Sequence, residues 1–72
     1  MVYTEDNPLY HVVKMRGMLN AVVRHCREDI EKVTEPKAQA LFETTAELLG
    51  GLINEYSRYE RELEDKARGM AA

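Results

Sequence analysis

The chain has 72 residues, a formal net charge of −3 and a single cysteine, Cys26. A chain this short buries only about 60% of the surface its unfolded form exposes, so it makes one domain at most, over residues 1–72, and needs help to stay folded. A lone cysteine excludes a disulfide within the chain, and the usual ligand spacing of a structural metal is absent; self-association is left as the expected source of further burial.

The charge is unevenly divided. Residues 1–33 carry five basic and five acidic side chains, and residues 34–72 carry five and eight. That balance argues against nucleic acid as a partner, because neutralising phosphates takes a basic surface. It also argues against a polybasic membrane anchor. The first eight residues are polar and acidic, with neither the basic start nor the apolar stretch of a signal peptide. No apolar run approaches the ~20 residues that span a bilayer. The expectation is a cytoplasmic protein with no membrane partner, in keeping with its unpaired thiol.

Residues 1–7 read as an arm that ends in a helix start. Asn7 is a good N-cap and Pro8 suits a first helical position. The first helix is predicted over residues 8–33, with an apolar stripe of Val12, Met15, Leu19, Val22, Cys26, Ile30 and Val33 at steps of three and four. Arg24 with Glu28, Arg27 with Glu31, and Glu28 with Lys32 are spaced for ion pairs four apart outside it.

Thr34, Glu35 and Pro36 break the pattern. Thr34 is a fair N-cap, and Pro36 is tolerated in a first turn but not in a helix interior. A turn over residues 34–36 makes the two helices antiparallel neighbours.

The second helix is predicted over residues 35–68, with Gly69 as its stop and residues 69–72 as a tail. Its stripe reads Ala38, Phe42, Thr45, Leu49, Leu52, Tyr56, Tyr59, Leu63, Lys66 and Met70. A repeat of 3.5 residues favours coiled-coil packing. With the turn at this place, facing residues have numbers summing to about 68, which sets Cys26 against Phe42 and Leu19 against Leu49. Helix two outruns helix one, and either Val2 and Tyr3 fold back over Leu63 or a second subunit covers it.

The fold class expected is therefore all-α: an antiparallel two-helix hairpin that assembles as a homodimer into a four-helix bundle. Leu41, Leu48, Ala46 and Ile53 widen the stripe of helix two beyond what one partner helix covers. They are expected in an oligomer interface together with Gly50, which with Ala46 puts two small residues four apart. Gly17 and Ala21 repeat that spacing on helix one.

Few residues suggest chemistry. His11 and His25 share a flank of helix one, and the expected pairing brings Glu43 and Glu47 near His25. These are the only metal-ligand candidates, and none sits in the Glu-x-x-His spacing of di-iron bundles. Cys26 lies between basic neighbours that lower a thiol pKa, yet its place in the stripe reads as core. Tyr56 and Tyr59 read as packing residues. Tyr56 and Glu60 match a secretion tag of some bacterial helical hairpins, but the Trp-x-Gly turn of those proteins is missing. The marks of helical chorismate mutases and plasmid copy-control hairpins are missing as well, so the chain resembles none of these families.

With no convergent polar pocket in 72 residues, no enzymatic activity and no cofactor are expected. The expected function is that of a small helical interaction or structural protein, acting through oligomerisation or by binding another protein. The alternative is a metal- or small-ligand-binding four-helix bundle.

Overall fold

Asn7 opens the first helix as predicted: its side-chain oxygen accepts from the Leu9 amide at 2.9 Å, and Pro8 follows at the first helical position. The computed structural model describes residues 6–71, with side chains for residues 6–69. Two helices account for nearly all of this: α1, Pro8–Ile30, and α2, Pro36–Ala71. They pack against each other as a hairpin, and there is no strand among the described residues. The expected contact of Val2 and Tyr3 with Leu63, and the packing of Met70, fall outside the described residues.

Both helix ends at the turn differ from the sequence reading. Helix α1 stops at Ile30, where Val33 was expected, and residues 31–35 form the connection. The Lys32 and Val33 amides both turn back onto the Asp29 carbonyl, at 3.0 and 3.2 Å, closing the last turn. Glu35, held away from helical geometry by Pro36, supplies the carbonyl that accepts from the Gln39 amide at 3.1 Å. Glu35 thus takes the capping place expected of Thr34. At the far end, α2 runs through Gly69 to Ala71, and no glycine among the described residues has a positive φ, so Gly69 does not act as a left-handed stop.

One side chain ties the turn together. The Gln39 amide nitrogen donates to the Val33 carbonyl at 2.8 Å and lies 3.5 Å from the Ile30 carbonyl. The first turn of α2 therefore satisfies a carbonyl of the connection and reaches one at the end of α1 that has no helical partner.

The seam between the helices is a regular repeat. On the first half of the chain it runs Leu9, Val12, Arg16, Leu19, Val23, Cys26, Ile30, Val33. On α2 it runs Gln39, Phe42, Ala46, Leu49, Ile53, Tyr56, Glu60, Leu63. Every one of these residues is buried or half-buried. Alternate steps agree with the sequence reading and the steps between are displaced by one residue. The seam takes Arg16 in place of Met15, Val23 in place of Val22, and Gln39, Ala46, Ile53 and Glu60 in place of Ala38, Thr45, Leu52 and Tyr59. Met15, Val22, Leu52 and Tyr59 all stand exposed.

The reason lies at one level of the seam. Arg16 Nε sits 2.9 Å from Glu60 Oε2, with Arg16 Nη2 3.4 Å from Oε1, a two-pronged ion pair between helices. Their side chains are only 31% and 20% exposed. A stripe traced through apolar residues alone steps around such a pair. Helical side chains lean toward their own N-terminus, so Arg16 leans away from the turn and Glu60 toward it. The expected sum of 68 would set Arg16 level with Leu52, about 12 Å along the axis from Glu60. A sum near 72, one turn further, fits the ion pair. It also sets Cys26 level with Ala46, the two most buried hydrophobic residues. Cys26 therefore does not share a level with Phe42.

The ion pairs on the outer surfaces are three residues apart, not four: Arg58 with Glu55 at 3.2 Å, Arg68 with Asp65 at 2.6 Å, Lys32 with Asp29 at 3.7 Å. All are well exposed and contribute little to stability.

Replacing Gln39 with Ala removes the donor at the turn and leaves the Val33 carbonyl to water. The expected cost is about 1 kcal/mol in urea unfolding, with no change in helical circular dichroism.

Candidate functional site

The hairpin is a single layer. Its principal extents are 55 × 20 × 15 Å and its radius of gyration is 16.4 Å, against about 11 Å for a compact chain of this length. Two helices side by side have two broad faces, and both are open.

Those faces differ in chemistry. In an antiparallel pair, residues on the same side of the repeat fall on the same face of both helices. Arg16, Ser57, Glu60, Arg61 and Glu64, drawn from both helices, line one shallow depression and so mark one face. This face is polar, its centre filled by the Arg16–Glu60 pair. The residues on the opposite side of the repeat are Met15, Met18 and Val22 on α1, and Leu41, Leu48, Leu52 and Tyr59 on α2. All seven are exposed, Leu48 at 70%, Leu41 at 63% and Met18 at 57%. Val13, on the polar side, is the one other large hydrophobic exposed among the described residues.

Seven large apolar side chains on one face of an 8.3 kDa chain form a patch at the upper end of what a monomer carries. The whole chain exposes 5826 Å², where a compact monomer of its mass exposes roughly 4,600 Å².

The residues expected in an oligomer interface divide accordingly. Leu41 and Leu48 lie on the apolar face. Ala46, only 2% exposed, and Ile53 belong to the seam inside the hairpin. With its surface already used, Ala46 has none left to present to a second chain. Gly50 lies on the polar side, and a Cβ built there meets nothing within 4 Å; the same holds at Gly17 and Gly51. Nothing within the hairpin presses on any of the three. Met15, Val22, Leu52 and Tyr59 are the face residues that sequence reasoning assigned to the seam. The signal that separates the two sets is the matched polar pair, Arg16 and Glu60, each on the repeat.

The metal candidates are not assembled. Among the described residues, no three side chains of His, Cys, Asp or Glu gather where they could hold an ion. His25 pairs with its neighbour Glu28 at 3.5 Å, and Glu43 and Glu47 are exposed. His11 packs edge-on against Tyr10, with ring centres 5.1 Å apart, and Lys14 lies 5.6 Å over the Tyr10 ring. The Cys26 thiol is buried in the seam. No helix among the described residues is long and apolar enough to cross a membrane. No protein-family model, curated protein or solved structure matches this chain.

Arg16→Ala leaves the Glu60 carboxylate half-buried without its cation. The expected loss is about 1–3 kcal/mol in urea unfolding, and replacing both residues with leucine recovers it, since what costs is the unpaired charge.

Proposed function

We propose that this chain is a small, non-enzymatic helical interaction protein, and that its working surface is the apolar face of the hairpin. One observation carries the reading. Seven of the eight large exposed apolar residues among the described residues lie on the same face, drawn from both helices, while the opposite face is polar apart from Val13. Non-directional apolar contact suits that face to packing against other helices. Two further helices laid across it complete a four-helix core, most simply in a twofold dimer.

The energetics point the same way. Among the described residues only Cys26 and Ala46 are buried hydrophobics, so the hairpin alone has little core. Covering the face at ~25 cal/mol per Å² adds several kcal/mol, a large share of the total stability of a small domain. Association and folding are then coupled, and the chain acts by being assembled.

The test compares two substitutions on opposite faces. Leu48→Glu puts a charge in the centre of the apolar face, and Val13→Glu puts one on the polar side. For the wild type, the melting temperature should rise with protein concentration. Leu48→Glu should weaken association by about 3 kcal/mol, roughly 150-fold, and lower the melting temperature. Val13→Glu should leave both nearly unchanged. Equal effects of the two, or a melting temperature independent of concentration, overturn the reading.

A further inference from the structure

From the charges that rim the apolar face, and resting on the function proposed above, we infer that the occupant of the face is a second copy of this chain, related by a twofold axis along the length of the hairpin. Both turns then lie at the same end, and α1 of each copy packs on α2 of the other.

Three observations support a second copy. First, the area fits. A compact dimer of twice the mass exposes roughly 3,800 Å² per chain, so up to about 2,000 Å² of each hairpin is available for burial. The total falls in the range of obligate homodimers, about 2,000–5,000 Å². Second, a chain with so little core needs its partner whenever it is folded, and another copy is always present at its own concentration. Third, the face is self-complementary in level. With facing residues summing to about 72, the stretch Leu48–Tyr59 of α2 covers the levels of residues 13–24 of α1, which bracket Met15, Met18 and Val22. The thinner Met and Val strip of one copy therefore meets the broader Leu and Tyr strip of the other.

Charge chooses between the two possible twofolds. On the apolar side, the rim of α1 carries His11 near its start and that of α2 carries Glu55 and Glu62, while Lys14 stands on the back of α1, over the Tyr10 ring. With the turns at the same end, Glu62 of one copy comes level with His11 of the other, and the two Glu55 carboxylates lie on diagonally opposite helices of the bundle. With the turns at opposite ends, each helix packs on its own copy. With the axis crossing α1 at Met18, the middle of its apolar strip, Glu55 then lies within about a turn of the second Glu55. Like charges side by side are unfavourable, and Arg58, 3.2 Å from Glu55, offsets the repulsion only in part, since that pair is well exposed.

The arrangement is tested by disulfide trapping of the full chain under mild oxidation, with the linked residues identified by mass spectrometry and chain mass measured by sedimentation equilibrium. Chains carrying Val22→Cys are mixed with chains carrying Leu52→Cys, and Met18→Cys chains are oxidised alone. The inference expects a dimer in sedimentation, a 22–52 link in the mixture, and no 18–18 link. A dimer that forms the 18–18 link but not the 22–52 link overturns the arrangement while leaving the interaction function standing. A wild-type chain that sediments as a trimer or larger assembly overturns the twofold pair while its concentration-dependent melting leaves the interaction function standing, whereas single-chain mass with concentration-independent melting overturns both. Circular dichroism of each variant confirms that the trapped species is folded, and a second pair, Met15→Cys with Tyr59→Cys, gives the same readout two turns further along.

Discussion

Two helices can share only one seam, and that limit governs everything else in this molecule. Each helix turns one side toward its neighbour, and the remainder of its surface faces outward. Sixteen positions of the repeat are all at least half-buried, yet only Cys26 and Ala46 among the described hydrophobic residues are buried. A third helix lying across the pair would change this at once. Without one, apolar side chains beyond the seam have nowhere within the chain to go, and their distribution between the two faces becomes the most informative property of the fold.

That distribution is one-sided, and the seam is polarised in the same sense. The Arg16–Glu60 pair opens toward the face that also carries Ser57, Arg61 and Glu64. A charged pair within the seam is a weak source of stability, but it penalises every alignment that separates its members. A purely apolar seam of Leu, Val and Ile tolerates sliding by a turn, since one aliphatic contact replaces another. The ion pair removes that freedom. Its cost in desolvation is moderated by partial exposure, and its return is a single register for the hairpin.

Much of the architecture was legible in the residues. Asn7–Pro8 marks a helix start by capping chemistry that acts locally, and Pro36 marks the turn because its ring acts on its immediate neighbour. Helix number and antiparallel order follow from these signals and from apolar spacing. The phase of the seam was less legible. Positions such as 15 and 16, or 52 and 53, are adjacent on the helix surface, and hydrophobicity prefers Met15 to Arg16 although tertiary pairing selects Arg16. The same ambiguity moved Ala46 and Ile53 from an expected outer interface into the hairpin. The bond from Gln39 to the Val33 carbonyl was not legible at all, because glutamine has no spacing signature for reaching across a turn.

That glutamine bond also bears on the order in which the chain acquires its shape. It joins residues six apart, while the Arg16–Glu60 bridge joins residues forty-four apart. Closing the longer loop costs about 1.8 kcal/mol more in chain entropy on a logarithmic scale. The contact nearest the turn therefore forms first, on the fast timescale of short loops. It brings the start of α2 beside the end of α1, and every later level of the seam then closes against a neighbour already in place. The hairpin closes like a zip from its turn, and its open end, where α2 extends past Pro8, is the last part to gain order and the first to lose it.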